Sequence, residues 1–109
     1  MSRGTGYIQR RLLSILSQAS EPVSTFDLVA GVYDVQPDAA GNYWLTDPQL
    51  SSVRRALGTL AKNGAVSGRR GYHDSRQRWA TPVAWADVDK RHRRLAEKYA
   101  RWRVKSDRH

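Results

Sequence analysis

Hydrophobic residues recur at helical spacing near the start of the chain. The spacing i, i+4, i+7, i+8 is typical of one face of an amphipathic helix. We therefore predict a first helix over residues 6–20, ended at Glu21-Pro22 because proline cannot continue a helix. The hydrophobic positions of this face are Ile8, Leu12, Ile15, Leu16 and Ala19.

A second, shorter helix is predicted within residues 23–34. Ser24 is a candidate N-cap, and Asp27 three residues later resembles a capping box and favours the positive helix end. No strand pattern is obvious between the two helices. The expected buried side consists of Phe26, Leu28, Val29, Val32 and Tyr33.

Residues 34–47 are rich in Pro, Gly, Asp and Asn, which predicts a loop. We expect its Tyr43-Trp44-Leu45 triplet to pack on the core. A third helix follows over about residues 48–63, with Thr46 or Asp47 as cap and Pro48 in the first turn. Its hydrophobic positions are Leu50, Val53, Leu57 and Leu60, and Asn63-Gly64 is its stop.

Two short strands around a turn are predicted next, over about 65–72 and 76–81. A long last helix then occupies most of residues 83–109. Its hydrophobic steps alternate between three and four, which is typical of a heptad seam. The seam consists of Trp85, Val88, His92, Leu95, Tyr99 and Trp102. The predicted fold is therefore mainly α with a small β-hairpin and a long C-terminal helix.

The net charge of the chain gives the strongest indication of its partner. The 109 residues include 19 Lys and Arg against 10 Asp and Glu, a net charge of +9. So large a surplus in so short a chain favours a polyanionic partner, most often nucleic acid. The length suits one small domain, and the hydrophobic content of 39% is enough for a modest core.

The third helix offers the first candidate surface. No acid occurs between Leu50 and Gly71, whereas a solvated helix face usually mixes Glu with Lys. Short polar side chains permit close approach to a duplex, hydroxyls bind phosphates or base edges, and Arg reads guanine in the major groove. The candidate DNA-binding residues here are Ser51, Ser52, Arg55, Thr59 and Lys62, with Gly58 between them and Arg54 on the flank.

The hairpin offers the second candidate surface. Arg69 and Arg70 lie near its tip, where a guanidinium can reach phosphates or enter a minor groove. Arg76 and Arg78 occupy alternate positions of the returning strand, so we expect them to share one face, with Trp79 toward the core. The alternative is a surface hairpin charged only for solubility and edge protection.

These segments together resemble a winged helix-turn-helix domain over residues 7–81. The segment "SSVRRALGTLAKNGAV" is similar to the recognition helix of MarR-like, PadR-like and GntR-like regulators, in which V-x-x-x-L-x-x-L ends at a stop before the wing. We place the winged-helix domain at residues 1–82, with a recognition helix at about 48–63 and a wing at about 65–81. The resemblance implies a third helix in the major groove of double-stranded DNA and a wing along the backbone or minor groove.

The basic helix at 83–109 has two interpretations. It is a dimerisation element through its seam, since Tyr99 and Trp102 lie beyond what a small core covers. Alternatively it packs on its own domain, burying Trp85, Val88 and Leu95 against the first helix. Regulators of the kinds named often dimerise through helices outside the wing, so we expect a homodimer.

Other chemistry has little support in the sequence. There is no cysteine, no phosphate loop and no close pair of acids, so we expect no catalytic residue, metal or cofactor. No apolar run is long enough to span a bilayer, which favours a cytoplasmic protein. As a DNA-binding protein it is expected to be nucleoid-associated. No small-molecule effector is evident. The alternatives to a transcriptional regulator are an architectural or phage- or plasmid-type accessory protein with low sequence preference, and a protein-interaction module.

Overall fold

The computed structural model of the chain describes residues 4–72 and 75–107, so residues 73–74 of the predicted hairpin turn lie outside the described residues. Within these residues it has four helices and three short strands. In chain order they are α1 (Gly4–Gln18), β1 (Val23–Ser24), α2 (Thr25–Val32), α3 (Asp47–Lys62), β2 (Ser67–Arg70), β3 (Gln77–Ala80) and α4 (Pro82–Asp107).

The strands form an antiparallel sheet in the order β1-β3-β2. Trp79 of β3 lies opposite Val23 on one side and Gly68 on the other. Three helices with a strand between the first two, followed by a hairpin, make a winged helix-turn-helix, so the fold prediction is confirmed. A strand does lie between the first two helices, although the sequence shows no obvious pattern for it, since two residues are too few to display alternation.

The core lies between the first three helices and is closed by the sheet. Leu12, Leu28 and Leu57 are fully buried, and Trp79 packs against the same cluster. The Trp79 indole Nε1 donates to Thr25 Oγ1 at 3.0 Å, which satisfies its polar atom inside the core. The prediction for Phe26 was wrong, since its side chain is 44% exposed at the start of α2.

Local signals set the ends of α3 as predicted. Thr46 is the N-cap: its hydroxyl accepts from the Gln49 amide and the Gln49 side chain accepts from the Thr46 amide. This capping box satisfies two of the helix's free N–H groups. At the other end Asn63 is the C-cap, and Gly64 adopts a left-handed φ of +78°, which glycine reaches without strain.

The loop before α3 is ordered by one acid. Asp38 Oδ1 accepts from the amides of Ala40 and Asn42, both at 2.9 Å. Asp38 Oδ2 accepts from the Trp44 indole at 3.0 Å, and Trp44 is 79% exposed. The expectation that the whole triplet packs on the core was therefore wrong for Trp44, although Leu45 does pack there.

The two halves of α4 have different surroundings. Trp85 and Val88 are 3% and 2% exposed and pack with Ala80 of the hairpin, with Trp85 Nε1 donating to the Ser67 carbonyl at 2.7 Å. The second half is exposed, and the molecule measures 69 Å along its longest axis. Trp85 and Val88 thus belong to a small intrachain core on the hairpin, and Leu95 is not buried against α1.

Candidate nucleic-acid interface

The exposed side of α3 is a narrow polar stripe. Ser51, Arg55, Gly58 and Lys62 follow the spacing i, i+4, i+7, i+11, and all four are exposed. Val53, Leu57 and Leu60 are buried on the opposite side. We call these four exposed residues the α3 stripe. Ser52 and Thr59 flank it and are half-buried, and the Thr59 hydroxyl donates to the Arg55 carbonyl at 3.2 Å.

The cations of α3 are not neutralised within the fold. In the part of the chain that the structure describes, Arg54, Arg55 and Lys62 make no ion pair. The acids nearest in sequence to Arg54 and Arg55 are Asp47, at the start of the helix, and Asp38 in the preceding loop. The positive charge of this surface therefore remains available for an external anion.

Strand alternation separates the two hairpin arginines. Successive side chains of a strand point to opposite faces of the sheet, and antiparallel partners share a face. Arg69 lies opposite Arg78, and Arg70 lies opposite Gln77. Arg69 therefore lies on the face covered by α4, whereas Arg70 lies on the face toward α2 and α3.

Arg70 contributes to an open concavity of about 540 Å³ between α2, α3 and the hairpin. Arginines from three parts of the chain meet there: Arg54 from α3, Arg70 from β2 and Arg76 from the segment before β3. We call this surface the arginine groove. Its lining is Ser24, Thr25, Phe26, Arg54, Arg70, Ser75, Arg76 and Gln77.

A second concavity of about 230 Å³ continues the arginine groove toward the loop before α3. Phe26 and Arg76 line both concavities, and Asn42 and Tyr43 line only the second. The exposed Phe26 ring thus lies at the junction of the two. The sequence pattern assigned Phe26 to the core, and nothing local distinguishes a helix-start aromatic that faces solvent.

Arg69 has a different environment from the other hairpin arginines. Its guanidinium donates to both carboxylate oxygens of Asp89, at 2.7 and 3.2 Å, and lies 4.4 Å above the Trp85 ring. The hydrogen bond to Asp89 raises the pKa of Arg69, and the reciprocal bond from Arg69 lowers the pKa of the Asp89 carboxyl. Asp89 was not among the predicted site residues, because its role depends on a contact between distant elements.

Arg76 and Arg78 do not share a surface as expected. Arg76 precedes β3 and lines the arginine groove, whereas Arg78 lies within β3, opposite Arg69 and Ser24. Because the strand begins only at Gln77, the alternation assumed for residue 76 does not apply. The structure thus groups Arg54, Arg70 and Arg76, and places Arg69 and Arg78 on the other side of the sheet.

Hydrogen bonds join the segment between α1 and β1 to the hairpin and to α4. Glu21 accepts from the Tyr72 hydroxyl at 2.7 Å and from Arg91 at 2.6 Å. The hydrogen bond to this carboxylate raises the pKa of Tyr72 and that of Arg91. The Tyr72 ring stacks on His92 with centroids 5.9 Å apart. His92 is therefore in contact with its own hairpin.

The remaining seam residues are open to solvent. Tyr99 and Trp102 are each 67% exposed, and Leu95 is half-exposed. Leu95, Tyr99 and Trp102, together with Lys98, line an open apolar concavity with a volume of about 260 Å³. We call these three hydrophobic residues the distal seam. Exposed aromatic side chains in such proximity are typical of an interaction surface.

The described residues contain no membrane-spanning helix and no cluster of metal-binding side chains. No helix among them has both the length and the hydrophobicity needed to cross a membrane. In residues 4–72 and 75–107 no group of three or more His, Asp or Glu side chains is arranged to hold a metal ion.

Comparison with protein-family models gives no match, and comparison with curated proteins gives none either. Two crystal structures of the adhesin competence repressor AdcR from Streptococcus pyogenes are similar to the chain, the second carrying a C-terminal His tag. Their sequence identities are 18% and 16%, both TM-scores are 0.46, and each alignment covers 92% of this chain. The chain spans 64% and 66% of those two chains, less than two thirds of their length.

Proposed function

We propose that this chain is a binding protein, not an enzyme, that recognises double-stranded DNA as a winged-helix transcriptional regulator. The observation that carries the proposal is the α3 stripe beside the arginine groove. Both surfaces are basic, and within the described residues Arg54, Arg55, Lys62 and Arg70 make no ion pair. Phosphates are the anions that such a continuous surface fits best.

The α3 stripe is suited to the major groove. Its small residues, Ser51 and Gly58, permit close approach of the helix to base edges, and Arg55 between them can bind guanine through two hydrogen bonds. Lys62 then lies near the backbone at the end of the helix. Ser52 and Thr59 lie on the flank and assist through their hydroxyls.

The arginine groove is suited to the sugar-phosphate backbone and the adjacent minor groove. Arg54, Arg70 and Arg76 converge on one concavity, so a single strand of the duplex can contact all three. Arg78 and Arg69 lie on the opposite face of the sheet. We assign direct contact to the first three, and to Arg69 a role described in the next subsection.

The distal seam supports a homodimer. Tyr99 and Trp102 are exposed at the end of a helix that extends away from the winged-helix core, where a second copy can cover them. A dimer with one recognition helix per protomer would prefer inverted half-sites about one helical turn apart. Such a protein would act in the cytoplasm, on the nucleoid.

Selection of binding sites from a pool of random duplexes tests the proposal. We expect a reproducible motif for the unaltered protein, and relaxed preference at one position or more for Arg55→Ala. The control is Arg10→Ala, which removes the same charge from the exposed side of α1 and should return the parent motif. Retention of DNA only at very low salt, with no duplex enriched, would contradict sequence-specific regulation.

An architectural role is the second candidate. Between Lys90 and Arg103, α4 carries six exposed basic residues besides Arg91, which binds Glu21. They are Lys90, Arg93, Arg94, Lys98, Arg101 and Arg103. Along a helix that extends beyond the core, these charges favour contact with phosphates irrespective of sequence. Strong binding at moderate salt with no selected motif would support this function over regulation.

A further inference from the structure

We infer that Asp89 is a positioning residue for the wing: it holds Arg69 against α4 and so fixes the hairpin in the orientation that presents Arg70 to DNA. This inference rests on the proposed DNA-binding function. It assigns a role to an acid that lies in the last helix, outside both the α3 stripe and the arginine groove.

The contact between Asp89 and Arg69 has a defined geometry. Two guanidinium nitrogens donate to the two carboxylate oxygens, at 2.7 and 3.2 Å, so the planar fork of Arg69 is matched to Asp89. The same guanidinium lies 4.4 Å above the Trp85 ring, one helical turn before Asp89. Arg69 is thus held by a charge and by an aromatic face, which together restrict its rotamer.

The aromatic platform is itself attached to the hairpin. Trp85 is buried, and its indole donates to the carbonyl of Ser67 at the start of β2. The Tyr72 ring, just after β2, meets the Trp85 ring edge-on at 5.8 Å. The first half of α4 therefore contacts the β2 strand at three points. These are Ser67 at the start of β2, Arg69 within it, and Tyr72 just after its end.

Fixing Arg69 determines the direction of its neighbour. Since side chains alternate along a strand, an Arg69 held on the α4 face leaves Arg70 on the face of the arginine groove. Loss of the Asp89 contact would let the strand twist or move away from α4. The alignment of Arg70 with Arg54 would then be less well defined.

A double-mutant cycle on DNA affinity tests the inference. Asp89→Asn, Arg69→Ala and the double variant are titrated with a 30-base-pair duplex at several salt concentrations. We expect each single variant to weaken binding by a similar factor, roughly three- to tenfold, and the double variant to be no weaker than either. The slope of log affinity against log salt should stay near its parent value, because Arg70 is still present to contact its phosphate and only its alignment is less well defined.

The opposite pattern would overturn the inference. If Arg69 touches DNA directly, Arg69→Ala reduces the salt slope by about one, and Asp89→Asn leaves affinity unchanged or increases it by releasing Arg69. The matched control is Asp87→Asn, an exposed acid on the same helix that makes no hydrogen bond or ion pair with the described residues of the hairpin. It removes the same negative charge and should not alter the hairpin.

Hydrogen exchange without DNA separates this inference from the proposed function. We expect faster exchange at the β2–β3 amides in Asp89→Asn and Arg69→Ala, with α1 and α3 amides unchanged. If the parent protein binds no duplex, the proposed function is wrong. Faster hairpin exchange in the variants would still show that Asp89 stabilises the hairpin against α4. A parent that binds DNA, with exchange and affinity unchanged in Asp89→Asn, overturns the inference alone.

Discussion

Arg69 and Arg70 are consecutive in β2 but lie on opposite faces of the sheet. Arg69 lies opposite Arg78 and binds Asp89 of α4, whereas Arg70 lies opposite Gln77 and lines the arginine groove. The sequence pattern predicts the same role for both, as arginines near the tip of a wing. Their different surroundings lead to different expectations for their removal.

Arg70→Ala is expected to weaken binding to duplex DNA and to flatten its salt dependence. Each phosphate contact that is lost reduces the slope of log affinity against log salt by about 0.9 for B-form DNA. Fluorescence anisotropy of a labelled duplex between low and moderate salt gives both quantities. Arg10→Ala, with the same change in net charge, should keep the parent slope. An equal slope for Arg70→Ala and the parent would remove Arg70 from the interface.

Gly68→Ala is expected to destabilise the fold. A Cβ at Gly68 would lie 2.9 Å from the Trp79 ring and 2.8 Å from the side-chain Nε2 of Gln77. The buried Trp79 ring cannot move aside without opening the core, so the free energy of unfolding should fall by about 1–3 kcal/mol. Denaturant titration measures this change.

Gly58→Ala is the matched control for that substitution and should have the opposite sign. Nothing lies within 4 Å of a Cβ at this position in α3. Alanine loses less backbone entropy than glycine within a helix, so the free energy of unfolding should rise by about 0.5–1 kcal/mol. A loss of stability at Gly58 similar to that at Gly68 would mean that the crowding at Trp79 is not the cause.

The features that were predicted from sequence are those set by local interactions. The cap at the start of α3, the stop at Gly64 and the hydrophobic side of the helix all depend on residues within a few positions of each other. Such signals act in the isolated segment as well as in the fold. They placed α3 within about one residue and identified its polar stripe.

The features that were missed depend on contacts between distant elements. Asp89 and Arg69 are twenty positions apart, and only the packing of α4 on the hairpin brings them together. β1 is too short for a pattern of its own, and it forms because β3 offers a partner for Val23 and Ser24. Strand alternation over residues 67–70 predicts that Arg69 and Arg70 lie on opposite faces of the sheet. It does not predict which of the two faces packs against α4.

The loop around Asp38 is expected to lose order at acidic pH. Hydrogen bonds from the Asn42 amide, and also from the Trp44 indole, lower the pKa of the Asp38 carboxyl below its ordinary value of 3.8. A carboxyl whose pKa is lower in the folded state stabilises the loop above pH 3.8, and this contribution is lost as the pH falls through the folded pKa.

The Trp44 indole Nε1–H resonance reports on this transition, and Trp44→Phe assigns it. Its chemical shift should be constant near neutral pH and move toward the random-coil value in acid. In Asp38→Asn the shift should be near the random-coil value at every pH, because one carboxylate oxygen acceptor is replaced by an amide NH2 donor. A parent shift that does not change in acid would contradict the role of the Asp38 carboxylate.

Removal of the distal seam is expected to convert a dimer to monomers without unfolding the winged-helix domain. Tyr99 and Trp102 are exposed and contribute nothing to the core of their own chain, so Tyr99→Ala with Trp102→Ala should leave the thermal midpoint of a dilute sample unchanged. Sedimentation velocity over a range of concentrations measures the association. The control is Arg94→Ala with Arg101→Ala, which changes neighbouring exposed positions of α4 and keeps the hydrophobic residues.

The comparison of the two double variants separates dimerisation from DNA contact. If the distal seam joins two copies, the aromatic variant is monomeric and binds a duplex with two half-sites no better than a duplex with one, because the second half-site no longer adds avidity. The Arg94 and Arg101 variant should remain dimeric and retain the preference for two half-sites, with a lower salt slope if these cations touch phosphate. A parent protein that is monomeric at all concentrations would leave the distal seam without a second copy and contradict the homodimer.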